Sequence, residues 1–219
     1  MTDPVKDYFD LIAEEFDSIY DEKKSGFSDL INNLFRGSMF ERVEITVKDC
    51  INSNISNVLD VGCGSGRISY ILAKNGINVT GIDYSESMIQ LAKKKFAKEE
   101  TKGKMEFLCC DFIKEFEFDK KFDVSIALGV FDYTQDPTQV LTRMKESAKK
   151  KIIASFPAKY SFQTPLRKIW LYKRKCPVFF YTERDIIAFF RKIDINQINI
   201  KKTPTNAKIP TGFLVIAEV

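Results

Sequence analysis

Histidine is absent from this chain. Its absence excludes Ser-His-Asp triads, Cys-His dyads and His-ligated metal sites. Carboxylates, Tyr, Lys and Cys remain as general bases. Cysteine is sparse, with five residues and no C-x-x-C spacing. The odd count points to neither a disulfide framework nor a zinc knuckle, and no metal is expected. Reduced, buried thiols and a cytoplasmic location are the expectation. The opening MTDPVKDYFD carries no apolar leader core. No apolar run approaches the roughly 18 residues a membrane helix needs. Charge is also nearly balanced, with 34 basic and 30 acidic residues and a net charge of +4. That is too mild to argue for a nucleic-acid partner. What remains is ordinary globular composition over 219 residues, 44% hydrophobic. This length suits one domain with a small cap.

Periodicity divides the chain. Tyr8, Leu11, Ile12, Phe16 and Ile19 recur mostly at helical spacing, so the N-terminus reads as a helix. A charged break follows, and a second helix is expected over about residues 27–50, interrupted near Gly37. From residue 56, apolar strands and helices alternate: strands over 57–61, 77–82, 105–110, 122–128 and 152–156, helices over 65–74, 86–98, 137–149 and 183–191. Alternation implies a parallel sheet covered on both faces. The last two strands, 195–201 and 212–219, are joined only by a loop and should pair antiparallel. The predicted fold is α/β and Rossmann-like, with seven mostly parallel strands and an antiparallel last one. Residues 1–55 read as a helical lid, 56–219 as the main domain, and 157–182 as a cap insertion after the fifth strand.

The first strand runs into Asp60-Val61-Gly62-Cys63-Gly64-Ser65-Gly66. Glycines there allow a sharp turn and a close ligand approach. The loop lies where a strand's carboxyl end meets a helix, which is where open α/β folds bind ligands. About twenty residues on, Asp83 ends the second strand and can accept from a ribose diol. A dinucleotide site wants G-x-G-x-x-G; here the third glycine comes one residue early. The acid Asp60 beside the loop disfavours a pyrophosphate and favours a cation. S-adenosylmethionine, which carries an amine and a sulfonium and no phosphate, fits better.

These segments resemble the class I S-adenosylmethionine-dependent methyltransferases. Val58-Leu59-Asp60-Val61-Gly62-Cys63-Gly64-Ser65-Gly66 is similar to the family's first motif. Val79-Thr80-Gly81-Ile82-Asp83-Tyr84-Ser85-Glu86-Ser87-Met88 resembles the next, and Phe107-Leu108-Cys109-Cys110-Asp111-Phe112 the third. The resemblance covers residues 56–156 and implies S-adenosyl-L-methionine as cofactor and S-adenosyl-L-homocysteine as product. It implies that Asp60, Gly62, Cys63, Gly64 and Gly66 form the methionine end of the site. Asp83 would bind the ribose, with Tyr84 and Met88 near the adenine. Asp111 and Phe112 would meet the base, while Leu128 and Gly129 line the transfer site. Ser155-Phe156-Pro157 and Cys176-Pro177-Val178-Phe179-Phe180-Tyr181-Thr182 resemble the magnesium-protoporphyrin and ubiquinone-type O-methyltransferase branch, without naming a substrate.

Transfer from a sulfonium needs alignment and exclusion of water more than a base. Asp132 is the best-placed carboxylate should a base be required, and Tyr133 is its neighbour; a capping role competes for Asp132. Tyr20 and Arg36 in the lid, and Tyr160, Arg167 and Tyr181 in the cap, are candidate substrate contacts. Residues 158–175 carry Lys159, Arg167, Lys168, Lys173, Arg174 and Lys175 and no acid. That run is open to four readings: an anionic small substrate, an anionic membrane surface, RNA, or a solvated helix face. The expected function is methyl transfer to a small molecule at oxygen, by a monomer or homodimer. Nothing after the fourth strand resembles the Asn/Asp-Pro-Pro-Tyr run of DNA N-methyltransferases. RNA or protein methylation, or a non-catalytic cofactor-binding scaffold, are the alternatives.

Overall fold

A computed structural model describes residues 3–18, 27–161 and 163–219, with only the backbone for 14–18 and 27–37. Seven strands are described: β1 (Asn57–Val61), β2 (Asn78–Asp83), β3 (Met105–Cys109), β4 (Phe122–Ala127), β5 (Ala148–Pro157), β6 (Ile198–Thr203) and β7 (Gly212–Glu218). The helices are α1 (Pro4–Ser18), α2 (Phe27–Asn52), α3 (Arg67–Lys74), α4 (Glu86–Phe96), α5 (Pro137–Ser147), α6 (Gln163–Lys173) and α7 (Glu183–Lys192).

The strands form one sheet in the order β3-β2-β1-β4-β5-β7-β6. Pairing is parallel from β3 through β5, and β7 runs antiparallel to both β5 and β6. The expected topology is therefore the observed one. Strand order reverses between β1 and β4, and a crevice opens outside their carboxyl ends.

Each face of the sheet is covered by helices. On one, Leu59, Ala127, Ile152 and Phe156 pack with Leu141 and Met144 of α5 and Ile186 and Phe190 of α7. On the other, Val58, Val124 and Ile153 pack with Leu72 of α3 and with Val47 and Cys50 of α2. Central strands buried on both sides read as continuous apolar runs, which is why they were visible in the sequence.

Most boundaries fall within two residues of expectation, and three differences are larger. Helix α2 runs unbroken through Gly37. An interior glycine costs only about 1 kcal/mol, and the packing of the helix's second half outweighs it. Strand β5 starts four residues early, because Ala148 pairs with Phe122 and Lys151 reaches Asp49 of α2 at 2.8 Å. Strand β6 starts late, at Ile198, because Ile193 and Ile195 are drawn into the core where α7 ends.

Local chemistry sets the helix starts beside the crevice. Ser85 caps α4, accepting from Met88 N at 3.2 Å. Its hydroxyl also donates to Asp10 Oδ1 at 2.6 Å, which ties α1 to the sheet edge. Asp136 caps α5 with Pro137 in the first turn, and Thr182 and Asp185 form a capping box at α7.

Candidate active site

The crevice is a cleft of about 1310 Å³, with a floor made by the loops after β1, β2 and β3. Gly64 has φ +52, and a side chain there would meet nothing within 4 Å, so its backbone faces open space. Gly66 has φ +75, but a Cβ would come within 2.5 Å of the Phe107 ring. Its missing side chain serves packing of the loop against β3. Gly66 does not line the cleft.

Asp83 holds this loop to β2. Its Oδ2 accepts from Gly64 N and its Oδ1 from Ser85 N, both at 2.9 Å. Each oxygen keeps a lone pair for a further donor. Burial pushes the Asp83 pKa upward, against backbone hydrogen bonds from Ser85, Gly64 and Tyr84. Asp60 is 1% exposed and lies beneath the loop, outside the cleft lining. Its Oδ2 accepts from Ser69 Oγ at 2.6 Å. Burial lifts its pKa to about 7, with the Asp83 carboxylate adding to the rise. From beneath the loop Asp60 can act on a ligand through its charge or through a bridging water.

Gly62, Cys63, Tyr84 and Met88 line the floor. Asp111 and Phe112 line it too. Asp111 also caps its own turn, accepting from Ile113 N at 2.8 Å and Lys114 N at 3.2 Å. Leu128 and Gly129 stand at the end of β4. A Cβ at Gly129 would meet nothing within 4 Å. Gly129 N donates to Ser155 Oγ at 2.9 Å, and Arg42 of α2 donates to the same oxygen at 3.1 Å. The sequence carried no signal for Arg42, because only α2's passage over the ends of β4 and β5 brings it there.

A cap closes the cleft from the other side. Val5, Tyr8 and Ile12 of α1 pack with Leu171 of α6 and Cys176, against Tyr84 and Tyr133. Phe9 meets Tyr133 edge to face at 5.0 Å. Beside them Asp132 and Arg167 form a partly buried ion pair, Arg167 Nη2 donating to Asp132 Oδ2. Asp132 is 4% exposed, lines the cleft, and its Oδ1 is buried with no hydrogen-bond partner. Burial raises the pKa of Tyr133 and keeps its hydroxyl protonated. Burial works against the charge on Arg167, but Asp132 and Tyr133 more than offset it and raise its pKa.

The cap thus changes several expected roles. Arg167 lines the cleft, but its charge is turned to Asp132. Tyr160 is 73% exposed, outside the cleft lining. Tyr181 is core: its ring packs on Phe156 at 5.5 Å and its hydroxyl donates to Thr134 O at 2.7 Å. Its aromatic run gave no hint of that inward turn. Tyr20 lies outside the described residues, as does the side chain of Arg36. Among the described residues, no cluster of His, Cys, Asp or Glu could hold a metal ion.

The fold and cleft define a class I S-adenosylmethionine-dependent methyltransferase architecture. The family described as "Methyltransferase domain" matches residues 52–163, half of the chain, and the chain belongs to that family. The magnesium protoporphyrin IX methyltransferase of Synechocystis PCC 6803, crystallised with S-adenosylhomocysteine, superposes with a TM-score of 0.77 at 23% identity, over 98% of this chain and 97% of that one. This likeness is one of fold. A curated relative, a ubiquinone biosynthesis O-methyltransferase of Coxiella burnetii, is 35% identical over 85 residues, 39% of this chain and 36% of the relative. A demethylmenaquinone methyltransferase of Leptospira interrogans is 31% identical over 130 residues, 58% of this chain and 49% of the relative. The chain thus matches half or less of these relatives' length.

The floor fits S-adenosylmethionine. Gly64 and Gly129 leave space where side chains would otherwise stand. The carboxylates of Asp60 and Asp83 suit a cationic ligand that also offers hydroxyl donors. Among the described residues, no helix is long and apolar enough to cross a membrane.

Proposed function

We propose that this protein methylates a small-molecule acceptor at oxygen, in the cytoplasm. One observation carries the reading: a cofactor-type floor faces a capped cleft wall lined by Asp132, one of whose oxygens is buried without a partner. An unsatisfied buried acceptor is costly unless a ligand donor meets it. A hydroxyl is such a donor, and relatives named as O-methyltransferases support oxygen.

When bound, S-adenosylmethionine supplies a methyl carbon on a sulfonium whose leaving group is a neutral thioether. The chain's own residues do the rest. Asp83 takes the ribose diol while clamping Gly64. Asp60 favours the positive charge from below. Asp111 and Phe112 hold the adenine end, beside Met88 and Tyr84. Gly129 leaves room at the transfer point. Asp132, steadied by Arg167, accepts the acceptor's proton, and the protonated Tyr133 orients it. The aromatic contacts of α1 and α6 exclude water, so proximity is the main contribution to rate. In this reading residues 1–55 act as the lid on a methyltransferase domain, 56–219, whose cap is 157–182.

The test is transfer of labelled methyl from S-adenosylmethionine into a lysate, followed by fractionation. Label in the small-molecule or lipid fraction is expected. Label confined to RNA or protein overturns the acceptor class. Failure to bind S-adenosylhomocysteine at all overturns the enzyme reading.

A further inference from the structure

Helix α6 buries Leu171 against α1, yet much of its remaining apolar surface faces outward. It buries Gln163 and Thr164, the latter donating to Ala158 O at 2.9 Å. It exposes Leu166 (53%), Ile169 (58%) and Trp170 (37%). A surface helix ordinarily turns its apolar stripe inward. Leu166, Ile169 and Trp170 sit at helical spacing, so they form one stripe, and all three border the cleft entrance. Phe40 of α2, 49% exposed, borders the same entrance.

The charge around this stripe has one sign. From residue 158 to 182 there is no Asp or Glu. Arg167 is turned inward to Asp132. Lys159, Lys168, Lys173 and Lys175 are exposed around the stripe. Arg174 stacks on Trp170 at 4.0 Å, and Lys168 lies over the Phe180 ring at 5.4 Å. Elsewhere acids nearly balance bases, so this segment is where the chain's positive excess is concentrated. An exposed apolar stripe with Trp, rimmed by lysines and free of acids, is the chemistry of an interfacial helix.

We infer that the α6 face docks on an anionic phospholipid bilayer, with Leu166, Ile169 and Trp170 entering the headgroup boundary and Lys159, Lys168, Lys173 and Lys175 meeting lipid phosphates. The docked face and the cleft entrance then coincide, so an apolar acceptor can pass from the bilayer to the site. This passage rests on the methyltransferase reading; docking itself does not.

Trp170 is the chain's one tryptophan, so its emission reports on this face alone. The full chain is titrated with vesicles of phosphatidylcholine containing phosphatidylglycerol, and with pure phosphatidylcholine. Expected are a blue shift and co-flotation with the anionic vesicles only, both lost at high salt. Lys159→Gln/Lys168→Gln/Lys175→Gln, which alters no cleft-lining residue, should weaken vesicle binding about tenfold or more. Calorimetry with S-adenosylhomocysteine on the same preparations reads the floor separately and should be unchanged in that variant. Neither shift nor flotation, with S-adenosylhomocysteine still bound, overturns the docking and leaves the enzyme reading standing. So does equal binding to neutral vesicles, or a shift with single-stranded RNA in place of vesicles.

Discussion

The floor and the cap of the cleft are made by different means. The floor is local and mostly backbone. The loop of Gly62, Gly64 and Gly66 and the strand-end acid Asp83 meet across adjacent, in-register strands, with Asp60 paired to Gly81. The cap is assembled from distant segments: α1 is tied to Ser85 by Asp10, and α6 to the loop after β4 by the Arg167–Asp132 pair. The difference teaches where function can vary. The floor is constrained by one ligand's shape. The cap can change its side chains, and with them its acceptor, without disturbing the sheet.

The largest expected effect lies in the cap. Arg167→Met leaves Asp132 buried and unpaired, which should cost about 3–5 kcal/mol in denaturant unfolding. Turnover should fall more steeply than S-adenosylhomocysteine affinity. If affinity falls equally, cap and floor are one unit and the comparison breaks.

Next comes the floor's buried charge. The Asp60 carboxyl stands near 7 in the folded protein, above its ordinary value of 3.8. The folded state therefore holds this proton longer than the unfolded chain does. The group's contribution falls as pH rises from the unfolded pKa through about 7, and is level on either side. Asp60→Asn should gain stability over the parent at alkaline pH, on the order of a few kcal/mol, and nothing below the unfolded pKa. Thermal unfolding across that range checks it. The same variant should bind the cationic cofactor more weakly.

Two glycines sharpen the contrast within the floor. Gly66→Ala drives a methyl into the Phe107 ring and should cost about 1–3 kcal/mol of stability. Gly64→Ala points its methyl into the cleft and should lose S-adenosylhomocysteine binding with a smaller loss of stability. Calorimetry and thermal unfolding on both variants separate packing from binding. Smallest is Asp83→Ala, expected to weaken S-adenosylhomocysteine at least tenfold, or about 1.4 kcal/mol. Unchanged affinity would remove Asp83 from the site.

Much of the floor was legible in the sequence because each element's signal is short-range. A buried strand, a glycine turn and a strand-end acid stand within a few residues of one another, and alternation alone implies their order in the sheet. Asp132 was legible as a carboxylate after β4, but its pairing with Arg167 was not. Arg167 read as a free cation among six in its segment. Tyr181 read as a substrate contact because its aromatic run gives no hint of which face turns inward. Strand β5 begins four residues before its apolar run, where Ala148 pairs with Phe122 and Lys151 meets Asp49 of α2, neither of which the local pattern shows.

Composition and local pattern by themselves determined the class: no histidine, a glycine loop between a buried strand and a helix, a second acid one strand later, and strands alternating with helices. They also determined that the positive charge would concentrate after β5. Only the tertiary structure decided which of those charges is spent inside and which faces outward. It alone turned the apolar stripe of α6 to the surface, placed Arg42 on Ser155, and left one buried oxygen of Asp132 without a partner. The physical reason is range. Backbone turns and strand patterns are written by neighbours in the chain, whereas burial and pairing are settled by segments that meet only after the sheet has formed.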